Sequence, residues 1–190
     1  MIRFIAAIDS KHGVANEHGI PWQGKLPTDV AYFRNKTLHG TVMMGYGWYK
    51  EQQLPLPERR NLVATSNSEP LRPGFERVPD AREFLNKFKS RFTHHPSGVV
   101  STAGQQDSVV REPDIWVGGG AGLFASTLDL ADELYLTLID WDFHCTKFFP
   151  QFEQDFEKVS ESEPQTENGI TFRFTVWEKI KPRDLRQLPK

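Results

Sequence analysis

Short apolar runs recur along this chain, and several close on glycine or hydroxyl residues before a helical pattern begins. The plainest is Val117-Gly118-Gly119-Gly120-Ala121-Gly122-Leu123-Phe124. Ile2–Ile8, Thr41–Met44, Asn61–Thr65, Ile115–Val117 and Glu133–Ile139 all read as buried strands, being brief, apolar and rich in branched residues. Helical patterns fall between them. Asp80-Ala81-Arg82-Glu83 has the form of a capping box, with Phe84, Leu85 and Phe88 supplying one apolar face. Ala121–Leu130 is a second helix, entered from glycines. Alternation of this kind predicts an α/β fold with a mostly parallel central sheet and helices on both faces. Thr171-Phe172-Arg173-Phe174-Thr175-Val176-Trp177 alternates cleanly after Gly169 and predicts an antiparallel C-terminal edge strand.

With 190 residues the chain suits a single domain, here placed at 1–180. The stretch 89–113 is polar and long for a compact domain, and reads as an inserted loop in which Val99-Val100 and Val109-Val110 could pair. Residues 181–190 form a charged tail. Lys plus Arg number 23 against 25 Asp plus Glu, a formal charge of −2, which argues against a dedicated nucleic-acid binder. One cysteine, Cys145, cannot form an internal disulfide, which fits a reducing compartment. No apolar run approaches membrane-spanning length, and the short N-terminal apolar run reads as a strand, not a signal peptide. A cytoplasmic monomer is the expectation.

Chemistry concentrates near the N-terminus. Gly19-Ile20-Pro21-Trp22-Gln23-Gly24-Lys25-Leu26-Pro27-Thr28-Asp29-Val30-Ala31-Tyr32-Phe33 sets one carboxylate in an apolar, proline-punctuated stretch. Pro27 and Thr28 announce a helix with Asp29 in its first turn, and Phe33 shares a face with Asp29. Such a carboxylate is either an accident of the surface or the polar anchor of an apolar pocket. Burial raises its pKa and a helix N-terminus lowers it, so the direction stays open at this point. The glycine run at 118–122 lets backbone N–H groups approach an anion, or makes a tight strand-to-helix turn. Its spacing is neither the dinucleotide fingerprint nor a P-loop. Met43-Met44-Gly45-Tyr46-Gly47-Trp48 and Thr65-Ser66-Asn67-Ser68 end two further strands, and ligands of open α/β sheets bind beyond such ends. The six histidines show no metal-ligand spacing, so no metal is expected, and no Gly-x-Ser-x-Gly elbow is present. Cys145 has only His144 beside it as an activating neighbour.

Taken in order, these segments resemble dihydrofolate reductase. Ile5-Ala6-Ala7 is similar to the family's first strand, and Gly13 to Trp22 to its mobile active-site loop. Leu26-Pro27-Thr28-Asp29, Val42-Met43-Met44-Gly45, Pro55 to Asn61, Gly118-Gly119, Glu133 to Thr137 and Phe149-Pro150 follow at family-like positions. The resemblance implies reduction of dihydrofolate to tetrahydrofolate by hydride transfer from NADPH. Asp29 and Trp22 would be catalytic, Asp29 gripping the 2-amino and N3 side of the pterin and Trp22 bounding the pocket around an ordered water. Ile5, Ala6, Ile20, Val30, Phe33 and Leu56 would pack on the substrate. Arg59 would pair with its glutamate tail, and Thr137 would support Asp29. Ala7, Val14 and Gly19 would hold the nicotinamide end of the cofactor. Gly45, Tyr46, Gly47, Trp48, Thr65, Ser66, Gly118, Gly119, Gly120, Ala121, Gly122 and Leu123 would line the rest.

Three departures stand out. Tyr46 and Ala121 occupy positions where the family commonly has arginine for the cofactor's 2′-phosphate, so NADPH preference rests on other groups. His144-Cys145-Thr146-Lys147 replaces a Gly-Asp-Thr whose acid usually fastens the mobile loop. Gln23-Gly24-Lys25 lengthens the link from Trp22 to Leu26. Two alternatives remain: a riboflavin-pathway pyrimidine reductase, and a non-catalytic folate- or nucleotide-binding relative.

Overall fold

The computed structural model describes residues 1–93 and 114–180. Its central strand is β1 (Ile2–Ile8), and its register explains most of the rest. The elements that follow are β2 (Gly13–Ala15), α1 (Pro27–Thr37), β3 (Thr41–Gly45), α2 (Tyr46–Glu51), β4 (Arg60–Ala64), β5 (Phe75–Val78) and α3 (Ala81–Thr93). Then come β6 (Ile115–Gly119), α4 (Ala121–Thr127), β7 (Glu133–Ile139), β8 (Lys147–Phe148), β9 (Phe156–Glu161), β10 (Gln165–Glu167) and β11 (Ile170–Lys179). The main sheet runs β10-β11-β7-β1-β6-β3-β4-β5, with β9 also paired to β11. From β7 to β5 every pairing is parallel.

Parallel strands need cover on both faces, and the side-chain alternation provides it. Ile2, Phe4 and Ile8 point to one side with Met43, Leu62, Ile115 and Val117. There they meet Leu85 and Phe88 of α3 and Leu123 and Phe124 of α4. Ile5, Val42 and Trp116 point to the other side, against Tyr32 and Phe33 of α1. Met44, Val63 and Phe75 join that side with Tyr49 of α2. This is the predicted α/β arrangement with helices on both faces.

The differences from expectation are local. The last strand is antiparallel, pairing Thr175 with Leu136 of β7, but it does not form the edge. β9 and β10 cover its outer side. Their sequences are charged and mostly exposed, so no apolar pattern announces them. α4 stops at Thr127, where the chain tightens into a 3-10 turn at Leu128–Leu130. Thr127 Oγ1 donates to the Leu123 carbonyl at 2.6 Å, a bond of the kind that strains a helix end. α3 runs through to Thr93, so the first five residues of the 89–113 stretch are helical. The remainder, with its proposed valine pairing, and the 181–190 tail lie outside the described residues. The capping box is half formed: Asp80 Oδ1 accepts the Glu83 N–H at 2.8 Å, while Glu83 turns to Lys87 at 2.6 Å.

α1 begins as Pro27 predicts but takes its cap from far away. Leu26 at the N-cap has no side chain to offer. Glu167, at the end of β10, accepts the Thr28 N–H at 3.1 Å and also the Thr28 hydroxyl. Asn168 Nδ2 donates to the Lys25 carbonyl at 2.7 Å. The β10–β11 turn therefore clasps the start of the helix that carries Asp29. Removing that carboxylate by Glu167→Ala is expected to cost about 1 kcal/mol, as for other lost caps. Thermal unfolding would show it as a fall of about 2–4 °C in melting temperature.

Candidate active site

The carboxyl ends of the parallel strands open into a cavity of about 1050 Å³, as large as sites that take cofactor-sized ligands. Four groups of elements wall it. β1 contributes Ile5, Ala6 and Ala7, and the loop after it Val14, Ala15, Gly19, Ile20 and Trp22. α1 contributes Asp29, Val30, Tyr32 and Phe33. The end of β3, the helix α2 with the residue after it, and the segment after β4 contribute Gly45, Tyr46, Gly47, Trp48, Glu51, Gln52, Thr65 and Ser66. Gly118, Gly119, Gly120, Ala121, Gly122 and Leu123 close the far side.

The cavity explains an oddity of α1. Only Thr37 of its eleven residues is buried. The face that packs Tyr32 and Phe33 on the sheet also borders the cavity, and Val30 stands 59% exposed at its mouth. Asp29 projects into this apolar surround. Its Oδ1 accepts the Thr137 hydroxyl at 2.6 Å. Burial pushes the Asp29 carboxyl above the usual carboxylate range, the Thr137 bond pulls it back, and the negative charge of Glu167 adds to the rise. The question the sequence left open is therefore resolved in favour of burial. Thr137 itself is buried and does not line the cavity; it holds Asp29 from behind.

The aromatic walls are ordered by contacts of their own. Trp22 is buried, packing on Phe143 with ring centres 5.3 Å apart. Phe33 meets Trp48 edge-on at 5.9 Å. Trp48 lies so close over β6 that a Cβ on Gly118 would fall 2.8 Å from its Cζ3. Tyr32 stacks on Phe174 of β11 at 4.0 Å, and burial pushes its phenol up to about 12. Sequence reading missed Tyr32, although it sits one helical turn from Asp29. It also missed Lys147, which reaches the cavity only because β8 pairs with β2.

Leu56 and Arg59 were expected at the substrate and lie outside the cavity wall. Leu56 packs beside Ile5 and Trp116. Arg59 is held at the end of α1, donating to Thr37 Oγ1 at 2.8 Å, the Pro57 carbonyl at 2.6 Å and the Arg34 carbonyl at 2.7 Å. Those bonds use three of its five N–H groups. Burial and the nearby Arg34 both lower its pKa.

The glycine wall fits an extended, phosphate-bearing group. A Cβ on Gly45 would come within 3.1 Å of the Gly120 nitrogen, so the ends of β3 and β6 approach with bare backbone. The Gly119–Gly120 peptide between them is cis. Beyond Gly45 the wall is polar: Tyr46 Oη accepts from Asn67 Nδ2 at 3.1 Å, next to Thr65 and Ser66, and the Lys50 ammonium lies 5.8 Å from the centre of the Tyr46 ring. Cys145 lies buried behind Trp22, its thiol pushed up to about 12 by burial and by Asp9. Both effects disfavour the thiolate that a nucleophile needs.

Comparison with known proteins agrees with this geometry. A family model described as dihydrofolate reductase matches residues 1–179. The dihydrofolate reductase of Bacillus subtilis (strain 168) is 31% identical over 183 residues, covering 94% of this chain and 95% of its own. That of Aedes albopictus is 25% identical over 202 residues, with 93% and 96% covered. Among solved structures, dihydrofolate reductase from Enterococcus faecalis, complexed with NADP(H) and RAB-propyl, superposes with a TM-score of 0.76. It is 25% identical, with 95% of this chain and 97% of that one covered. A carboxylate anchored by a strand threonine, facing a glycine-walled cleft in a chain matched over nearly its whole length, leaves one conclusion: this chain belongs to the dihydrofolate reductase family.

Proposed function

We infer that this chain reduces 7,8-dihydrofolate to 5,6,7,8-tetrahydrofolate with NADPH, as an oxidoreductase of one-carbon metabolism. The Asp29–Thr137 pair carries this reading, because it leaves one carboxylate edge free on an otherwise apolar wall. The Thr137 hydroxyl occupies one lone pair of Oδ1, and the remaining acceptors suit a planar amino-amide edge such as N3 and the 2-amino group of a pterin. The family match disfavours the riboflavin-pathway and non-catalytic alternatives.

Each remaining residue takes a role its surroundings support. Ile5, Ala6, Ile20, Val30 and Phe33 pack on the pterin and benzoyl rings, and excluding water there strengthens the contact to Asp29. Leu56 supports that wall from behind. Arg59 keeps two N–H groups for the substrate's tail carboxylate. The backbones of Ala7 and Val14, with Gly19, hold the nicotinamide carboxamide. Gly45, Gly47, Trp48 and the 118–123 turn hold the pyrophosphate and ribose. NADPH supplies the hydride that reaches C6. The protein contributes orientation. Asp29 orients the ring and is not the donor to N5, while Trp22 bounds the pocket where an ordered water would bring that proton.

The chain is further proposed to be one domain over 1–180, with an insertion at 89–113 and a charged tail at 181–190. We place it in the cytoplasm as a monomer that binds neither nucleic acid nor membrane. A lone cysteine and a charge of −2 support this, and among the described residues no helix is long and apolar enough to cross a membrane.

Replacing Asp29 by Asn is expected to lower kcat/KM for dihydrofolate at neutral pH by about a hundredfold or more, measured as NADPH oxidation. The same change should raise the melting temperature of the ligand-free protein at neutral pH. A carboxyl whose folded pKa is raised contributes stability below the ordinary carboxylate range and loses it as pH rises through the raised value. The advantage of the Asn variant should therefore vanish in acid. At the other end of the cavity, kcat/KM should favour NADPH over NADH through Thr65 and Ser66. Tyr46→Arg should widen that ratio by about tenfold, the worth of one charge-assisted bond. NADH equal to NADPH in the unmodified enzyme would contradict the assignment.

A further inference from the structure

The segment from Asp9 to Lys25 supplies five residues of the cavity wall yet has almost no regular structure of its own. Asp9 follows the last residue of β1 and is only 3% exposed. Its Oδ1 accepts the backbone N–H of Lys11 at 2.9 Å and of Gly13 at 2.7 Å. Its Oδ2 accepts the Phe143 N–H at 3.2 Å, from a segment 134 residues away. One carboxylate thus joins the base of the loop to the connection between β7 and β8. Backbone bonds close the same turn, from Asp9 N–H to the Gly13 carbonyl at 2.9 Å and from Ser10 N–H to the Trp141 carbonyl at 3.0 Å.

A second contact fixes the same seat. A Cβ on Gly13 would lie 2.4 Å from Cys145 Cβ and 2.7 Å from Asp9 Oδ2. Glycine is needed there for space, because the Cys145 side chain fills the place a methyl would take. Cys145 belongs to the buried cluster of Trp22 and Leu26. Just beyond, the Thr146 N–H donates to the Ala15 carbonyl at 3.0 Å, and Gly13–Ala15 pairs with Lys147–Phe148. Any slip at Gly13 is therefore passed directly to Val14 and Ala15 on the cavity wall.

We propose that Asp9 is a positioning residue for the reaction: seated against Gly13 and Cys145, its carboxylate sets the register of the loop and so holds Val14, Ala15 and Trp22 at the cavity. It does not touch the cavity itself. An amide in its place has one acceptor oxygen and one donor nitrogen, so it cannot accept from both segments at once. The inference rests on the dihydrofolate reductase reading. The rate of the unmodified enzyme tests that reading, and the ratio of variant to unmodified enzyme tests this one.

Two measurements on Asp9→Asn decide it. In cofactor-free protein, amide hydrogen exchange at residues 11–15 should accelerate while α1 and β7 stay protected. In a single turnover with NADPH bound and dihydrofolate saturating, hydride transfer should slow about tenfold or more. KM for dihydrofolate should hold within about twofold, since Asp29 and Thr137 are untouched. Should that variant not fold, Gly13→Ala tests the same seat: its methyl, pressed on both Asp9 Oδ2 and Cys145, should slow hydride transfer while KM for dihydrofolate holds within about twofold. Folded Asp9→Asn at the unmodified rate overturns the proposal, as does a KM that rises in step with the rate loss. So does a folded Gly13→Ala at the unmodified rate.

Discussion

The bond from Thr137 to Asp29 ties the central sheet to the helix across the cavity. Thr137 sits opposite Ala7 in the parallel pairing and opposite Phe174 in the antiparallel one. Three cavity features therefore share one row of the sheet: the backbone of Ala7, the hydroxyl behind Asp29, and the ring on which Tyr32 stacks. A slip of one residue between β1 and β7 would turn Thr137 to the opposite face and leave Asp29 without a partner. The apolar residues on both faces of β1 specify that register strongly, since a slip would also bury Arg3 among them.

The site is expensive for the fold. Asp29 is a carboxyl in an apolar surround, raised in pKa by burial and by Glu167, the residue that caps its own helix. The cap holds the helix start while its charge opposes ionisation of Asp29. α1 buries fully only Thr37, because the face that packs Tyr32 and Phe33 on the sheet also borders the cavity. A ligand edge that donates to the carboxylate, with flat rings against the apolar wall, would offset that cost. This is the usual pattern of a binding site that costs stability and recovers it on binding.

Much of this was legible before any coordinates. β1, β3, β6 and β7 read as strands because parallel strands buried on both sides are continuous apolar runs. Pro27 marked the start of α1 to the residue, and Asp80 the cap of α3. The resemblance placed Asp29, Thr137 and the glycine wall. What stayed hidden depended on partners distant in sequence. Glu167 caps a helix 139 residues earlier, and nothing in Gln165–Glu167 signals that. β9 is charged and exposed, so β11 looked like an edge. Tyr32 and Lys147 reach the cavity through packing that no local pattern encodes. The departure at His144-Cys145-Thr146-Lys147 was visible, but Asp9 could be recognised as the loop's anchor only once Phe143 lay beside it.

The central claim is that Asp29 grips its ligand as a charge, through a planar pair of hydrogen bonds. An ultraviolet difference spectrum of a bound 2,4-diaminopyrimidine inhibitor tests this, because the protonated ring absorbs differently from the neutral one. At a pH where the free inhibitor is neutral, the account predicts that it binds as the cation. It also predicts that the Asp29→Asn variant binds it neutral and more weakly. A neutral inhibitor on the unmodified protein, bound as tightly by the variant, would contradict the account.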